Sequence, residues 1–290
     1  ADLRTRETAD MFMALIIKKL LKENGRAAVV LPDGFLFGDG IKATLKRLLL
    51  RDCKLHTIIR LPKGVFAPYT TIKTNLLFFT KGAAVDDGTE HFHTDTIWFY
   101  EHPYPTGYKS YSKTKPIRLE EFKPEQDWWG DEANDFADRV ENEFAWKVDF
   151  KSKREQAEAA AKPHWQRAED LNNQAAALES EAAHLRKSLV GTTDAAYREK
   201  IDSQIAELRA QAEPLRLQAR DAQAAGDRIY WPIFNLDIKN PNAPEEETHD
   251  PDVLLEKYKK LLGDIEETEN QLKSELAAAL AHHFSPEADA

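Results

Sequence analysis

The chain has 290 residues, 42% of them hydrophobic and 31% charged, with a formal net charge of -10. That length holds one large domain or two smaller ones, and the acidic balance speaks against a histone-like binder of nucleic acid. A mean hydropathy of -0.60 is low for a compact enzyme and predicts that part of the chain is elongated and solvated.

The charge is unevenly spread. Between Gly40 and Lys81 lie nine basic residues, among them Lys42, Lys46, Lys54, Arg60, Lys63 and Lys73, opposed only by Asp52. Such a segment is either a surface for a phosphate backbone or the solvated face of one helix. The single cysteine, Cys53, excludes an intramolecular disulfide and fits a reducing compartment. The leading ADLRTRETAD is not a signal peptide, and no apolar run is long enough to cross a bilayer. The expectation is a soluble, cytoplasmic protein.

In chain order, Thr8 to Glu23 repeats Phe12, Leu15, Ile16 and Leu20 at helical spacing and stops at Asn24-Gly25. A strand follows at Ala27–Leu31, closed by Pro32-Asp33-Gly34. Ile41 to about Arg51 predicts a helix carrying Ile41, Leu45, Leu48 and Leu49 on one side. Leu55–Leu61, Thr74–Thr80 and Thr96–Tyr100 read as further strands. Alternating helices and strands imply parallel pairing with right-handed crossovers. The Lys63–Lys73 link is too short for a helix, so the strand after it is expected antiparallel. Residues 101–149 give no secure assignment. Trp128-Trp129-Gly130 within them is either a docking spot or a set of aromatics anchoring a long loop.

Leu171, Ala175, Leu178, Ala182, Leu185 and Leu189 step by four and three, and so do Ile201, Ile205, Leu208, Ala212, Leu215 and Ala219. The two series are symmetric about Ala195, which predicts an antiparallel helical hairpin with a coiled-coil seam. Its arm should project roughly 30 Å at 1.5 Å per residue. Pro163 is expected to break the chain before the outgoing helix and Pro214 to kink the returning one. After Gly226 a loop, RIYWPIFNLDIKNPNAP, is expected. A last helix should start near Asp250-Pro251 and carry Leu254, Tyr258, Leu261, Ile265, Thr268, Leu272 and Leu276 on one stripe. The division is therefore 1–149, 150–226 and 227–290.

No glycine-rich phosphate loop, G-x-S-x-G, H-E-x-x-H or paired C-x-x-C occurs. His91-Phe92-His93 could place two imidazoles on one strand face, but nothing completes a metal site, and none is expected. His282-His283 reads as exposed, and Cys53-x-x-His56 as a buried cysteine near a helix end. What remains are two loops at the C-terminal ends of strands, Pro32–Phe37 and Pro62–Tyr69, where open α/β sheets bind ligands. Both carry aromatics beside basic residues. They could stack an unpaired base, or their phenylalanines could plug the top of the sheet.

Together GRAAVVLPDGFLF, LHTIIRLPKGVF and IKTNLLFFTKG resemble the modification subunit of type I restriction–modification systems, an adenine-N6 DNA methyltransferase. The likeness resumes at Phe234–Pro241 and includes the last helix. The resemblance implies the C-terminal part of a Rossmann-like methyltransferase sheet, mixed, with one antiparallel strand at Thr74–Thr80. An antiparallel coiled-coil hairpin and a C-terminal helix would follow. S-adenosylmethionine serves the complete enzyme, but its glycine loop and the Asn-Pro-Pro-Phe tetrapeptide are missing here. The chain is expected to begin after the catalytic loop, to carry no catalytic residue, to bind no cofactor alone and to be inactive alone. Phe66, with Tyr69 as second choice, would stack on the flipped target adenine. Lys63 and Lys73 would contact DNA phosphates. Asn235, Asp237, Leu254, Leu261, Ile265 and Leu272 would meet the specificity subunit, and the resemblance leaves open a restriction subunit as a further partner. Through the exposed edge of its first strand the isolated chain is expected to self-associate. Two other readings stand beside this one: a non-enzymatic interaction module using its helices, and a different Rossmann-like enzyme whose cofactor site is not visible.

Overall fold

The computed structural model describes residues 5, 7–84, 90–191, 193–243 and 251–283. They fall into two compact units, Ala1–Asn242 and Ala243–Ala290. The expected helix cap at Asp250 and the side chains of His282 and His283 lie outside the described residues.

Helix α1 (Thr8–Leu15) runs into a π-helical turn at Ile16–Leu20. It buries Asp10, Met13 and Ile17, while Phe12, Leu15 and Leu20 are exposed. The expected face is thus overturned. Residues 11–17 are apolar without a break, so two stripes satisfy the helical period, and the sheet takes the Met13–Ile17 stripe. Strand β1 (Arg26–Pro32) leads through the short helix α2 (Gly34–Phe37) to α3 (Ile41–Asp52) and β2 (Cys53–Leu61). Then come β3 (Thr74–Lys81), β4 (Thr96–Glu101), the one-turn helix α4 (Lys123–Trp128) and β5 (Ala145–Asp149).

Among the described residues the sheet order is β1-β3-β2-β4-β5. β3 lies antiparallel between β1 and β2, β4 runs parallel to β2, and β5 returns antiparallel beside β4. β1 and β2 therefore point the same way without pairing. The expected antiparallel strand separates them, which overturns the parallel pairing expected across the α3 crossover; among the described residues the parallel pair is β2 with β4, joined through β3 and not through a helix. Leu77, Phe79, Ile58, Phe99, Trp146 and Val148 form the main core with Met13, Ile17, Leu45 and Leu49. On the other face Ile59, Leu61, Tyr100 and Ala145 are covered by Phe122, Trp128 and Trp129. The tryptophan pair is thus an anchor under the 101–144 segment. Arg139 locks it: its guanidinium lies 4.5 Å from the Trp128 ring centre and 3.8 Å from that of Phe136. Its Nε donates to the Trp129 carbonyl at 2.7 Å, and Nη1 donates to Thr57 Oγ1 at 2.9 Å.

Helices α5 (Phe150–Ser188) and α6 (Ala195–Tyr230) form the hairpin. Ala168, Ala175 and Ala182 are buried on α5, as are Ile201, Ile205, Ala212 and Ala219 on α6. No break occurs at Pro163. Asp149 caps α5 by accepting from the Ser152 amide at 2.8 Å, and the helix runs unbroken through the proline. Nor does Gly226 end α6. A Cβ at Gly226 would lie 2.6 Å from Trp165 Nε1, so this glycine permits close approach where a helix stop was expected. Trp165 Nε1 also donates to Asp227 at 3.1 Å, which ties the two helices at their root. In the second unit, α7 (Pro251–His283) is amphipathic and helical along its described length. No helix among the described residues is long and apolar enough to cross a membrane.

Candidate functional site

The loops after β1 and β2 meet at one end of the sheet. The Asp33 amide donates to the Lys73 carbonyl at 3.0 Å, which joins the first loop to the far end of the second. In the first loop Phe35 and Leu36 are buried and do plug the sheet top, whereas Phe37 is exposed. Lys46, 1% exposed, fixes this turn from below. Its Nζ donates to the carbonyls of Leu36 at 2.5 Å and Gly38 at 2.9 Å. Desolvation pulls its pKa down to about 8.

The loop Lys63–Lys73 is held at its other end as well. The Lys63 carbonyl accepts from the Tyr104 hydroxyl at 3.1 Å and from the Tyr111 amide at 3.4 Å. Gly64 has φ +86° and sits where a Cβ would come within 2.3 Å of the Tyr111 carbonyl oxygen, so both conformation and space require glycine. Below it lies a buried polar chain. The Tyr111 hydroxyl is bonded to the Glu121 carboxylate and stands 3.3 Å from His102 Nε2, while His102 Nδ1 is 2.5 Å from Glu125. Desolvation and the Glu121 contact push the Tyr111 phenol above its ordinary value. Between these anchors Phe66 is 40% exposed, Tyr69 93% and Ile72 60%. Lys63 and Lys73 are exposed too. All four side chains expected from the sequence therefore lie on the outer surface of one fixed loop.

A feature that sequence reasoning missed links this end of the sheet to the Asn235–Pro241 segment. Arg60, near the end of β2, donates through Nη2 to Asp237 at 2.5 Å and through Nη1 to the Ile238 carbonyl at 3.0 Å. The same Nη2 lies 3.6 Å from Asp33, which accepts from Asn75 Nδ2 at 3.0 Å. Leu236 is buried and its amide donates to the Leu36 carbonyl at 3.0 Å, while Asn240 Nδ2 donates to the Glu143 carbonyl at 2.8 Å. Asp237 thus spends its carboxylate inside the chain, and Asn235 uses its Oδ1 on the Asp237 amide at 2.9 Å. The only hint in the sequence is an arginine close to the end of a strand of mostly β-branched and apolar residues, LHTIIRL.

Leu254, Leu261, Ile265 and Leu272 lie along α7, each about half exposed or more. Cys53 is fully buried and desolvation pushes its thiol up to about 12. Among the described residues no group of three or more His, Cys, Asp or Glu side chains could hold a metal ion.

Comparison with known proteins bears on these features. A family model described as N-6 DNA Methylase matches residues 2–173, more than half of the chain. The type I restriction enzyme EcoEI methylase subunit of Escherichia coli is 43% identical over 281 residues, which is 97% of this chain and 40% of that protein. The EcoKI methylase subunit of Escherichia coli strain K12 is 37% identical over 138 residues, 48% of this chain and 25% of its own length. The crystal structure of the EcoKI M protein aligns with 43% of this chain and 25% of that one, at 39% identity and a TM-score of 0.37. The chain thus spans 40% or less of the length of these relatives. The matched model covers the whole five-stranded sheet and both candidate loops, and on that ground the chain belongs to the N-6 DNA methylase family.

Proposed function

We propose that this chain acts as part of a type I restriction–modification methyltransferase that places a methyl group on adenine N6 in DNA, with S-adenosylmethionine as donor in the complete enzyme. The observation that carries the reading is the Lys63–Lys73 loop, pinned at both ends yet exposing Phe66 and Tyr69 between two lysines. A ring held in this way can stack on a base flipped from the duplex without first having to be fixed in place. Phe66 is the stacking residue and Tyr69 the second choice. Lys63 and Lys73 contact the flanking phosphates. The sheet is read as Rossmann-like, the hairpin as an antiparallel coiled coil, and 1–149, 150–226 and 227–290 as the working parts, in a cytoplasmic protein.

The residues present do not fit the cofactor. The glycine of the second strand-end turn, Gly64, lies against Tyr111, and the turn after β1 is filled from below by Phe35 and Leu36. No methyl-transfer step is therefore assigned to side chains of this chain, which alone is inactive. Its part is to wall the target-base pocket and to meet the specificity subunit, through the α7 stripe Leu254, Leu261, Ile265 and Leu272 and through Asn235, while Asp237 anchors that segment to Arg60. The second reading, a non-enzymatic module that binds a partner through its helices, draws on the exposed apolar stripe of α7.

The test is binding of a single-stranded oligonucleotide carrying 2-aminopurine. Stacking on Phe66 quenches its fluorescence. Phe66→Ala should lose the quench and weaken binding roughly tenfold, by the energy of one base–aromatic stack, and Phe66→Trp should restore both. An unchanged quench in Phe66→Ala and in Tyr69→Ala removes this reading and leaves the interaction module.

A further inference from the structure

We propose that Arg60 is a positioning residue that holds the Lys63–Lys73 loop, the Asp33–Phe37 turn and the Asn235–Pro241 segment in one arrangement, so that the segment's seating controls the geometry of the aromatic loop. The role given to that loop rests on the function proposed above; the mechanical link does not.

The contacts close a ring. Arg60 reaches Asp237, the chain leads one residue back to Leu236, and the Leu236 amide binds the Leu36 carbonyl. From Leu36 the turn leads back to Asp33, which faces Arg60 again at 3.6 Å. The Asp33 amide then binds the carbonyl of Lys73, where the aromatic loop ends and β3 begins. Arg60 itself stands two residues before Pro62, where the loop starts. Its side chain is 13% exposed and is set between two carboxylates. One nitrogen, Nη2, faces both carboxylates while Nη1 holds the Ile238 carbonyl, a spread of donors in one plane that a single ammonium cannot reproduce. Asn75, 1% exposed and paired across the strands with Arg60, fixes the Asp33 carboxylate from the other side. Loss of the Asp237 carboxylate leaves a largely buried charge facing only Asp33, at 3.6 Å, so the remaining links loosen together.

The experiment is hydrogen exchange on the 290-residue chain, read by mass spectrometry, with no nucleic acid present. In Asp237→Asn, peptides covering 33–38 and 63–73 should exchange about tenfold faster or more, the factor one charge-assisted hydrogen bond supplies. The interior of β3 and the hairpin should not change. Asp237→Glu, which keeps the charge, should restore slow exchange in both loops, and Arg60→Lys should restore it only in part. Faster exchange confined to 235–241 overturns the proposal, because Asp237 would then anchor its own segment alone. Arg60→Met adds a larger effect if it folds; if it does not, the Asp237 pair decides. The oligonucleotide test can fail while this one succeeds, and the reverse, so the two readings are judged apart.

Discussion

His56 illustrates how a single buried side chain sets the response to acid. It is 6% exposed, hydrogen bonded through Nδ1 to Thr57 Oγ1 at 2.8 Å and stacked on Phe136 at 4.7 Å. Desolvation lowers its pKa to about 4, against 6.5 for the free group. Between those values the unfolded chain binds more protons than the folded one. The stability due to neutral His56 is therefore complete above pH 6.5 and lost as pH falls toward 4. At about 1.4 kcal/mol per pKa unit the loss approaches roughly 3 kcal/mol. Urea midpoints across that window should fall steeply in the wild type and less steeply in His56→Gln. The opposite case is Cys53. A fully buried thiol held at about 12 stays protonated and out of reach, so iodoacetamide at mildly alkaline pH should label the urea-unfolded chain and spare the native one. Rapid labelling of the native chain would mean that the β2 end opens. The aromatic loop was legible at this scale, because rings between lysines in a loop are conspicuous. The Arg60 clamp was not, because Asp237 lies 177 residues away and no local pattern joins the two.

At the scale of elements, legibility followed the length and purity of the apolar runs. β2 and β3 are long and almost wholly buried or half-buried, and their spans were readable. β5 was not, being five residues of mixed burial separated by 43 intervening residues from its partner β4. Pro163 and Gly226 were misread for a common reason. Punctuation residues report local preference, while the root of the hairpin is decided by Trp165 packing between the helices. Among the described residues β1 pairs with β3 alone, and Val30 beside its open ladder is 49% exposed; Phe12 on α1 and Leu20 in the π-helical turn are 58% and 62% exposed. Such an edge invites strand addition, so sedimentation should detect dimers or larger species as concentration rises, and Val30→Lys should suppress them. A monodisperse monomer throughout would refute it. In the hairpin, Ala175 is fully buried, so Ala175→Leu should destabilise the arm by about 1–3 kcal/mol through overpacking. Thermal melting followed by circular dichroism reads this, and the exposed neighbour Ala176 substituted by Leu serves as control.

Across the whole molecule the low hydropathy has a clear origin. Two helices of 39 and 36 residues leave the sheet and bury only narrow stripes, and α7 is exposed along its described length. With the first strand-end turn plugged and the second closed by Tyr111, calorimetric titration with S-adenosylmethionine should give no binding heat. Micromolar affinity would place a cofactor site where none is drawn here. The root of the arm is clasped by Trp165 against Gly226 and Asp227, whereas farther out the buried alanines recur every seven residues at 168, 175 and 182. Such an arm has a natural unit of growth. Adding seven residues to each helix keeps the contact face and lengthens the reach by about 10 Å, while adding two to one helix alone turns its stripe by about 200°, away from its mate. Variation in arm length that respects this unit alters how far the tip extends and leaves the sheet, with its loops, undisturbed.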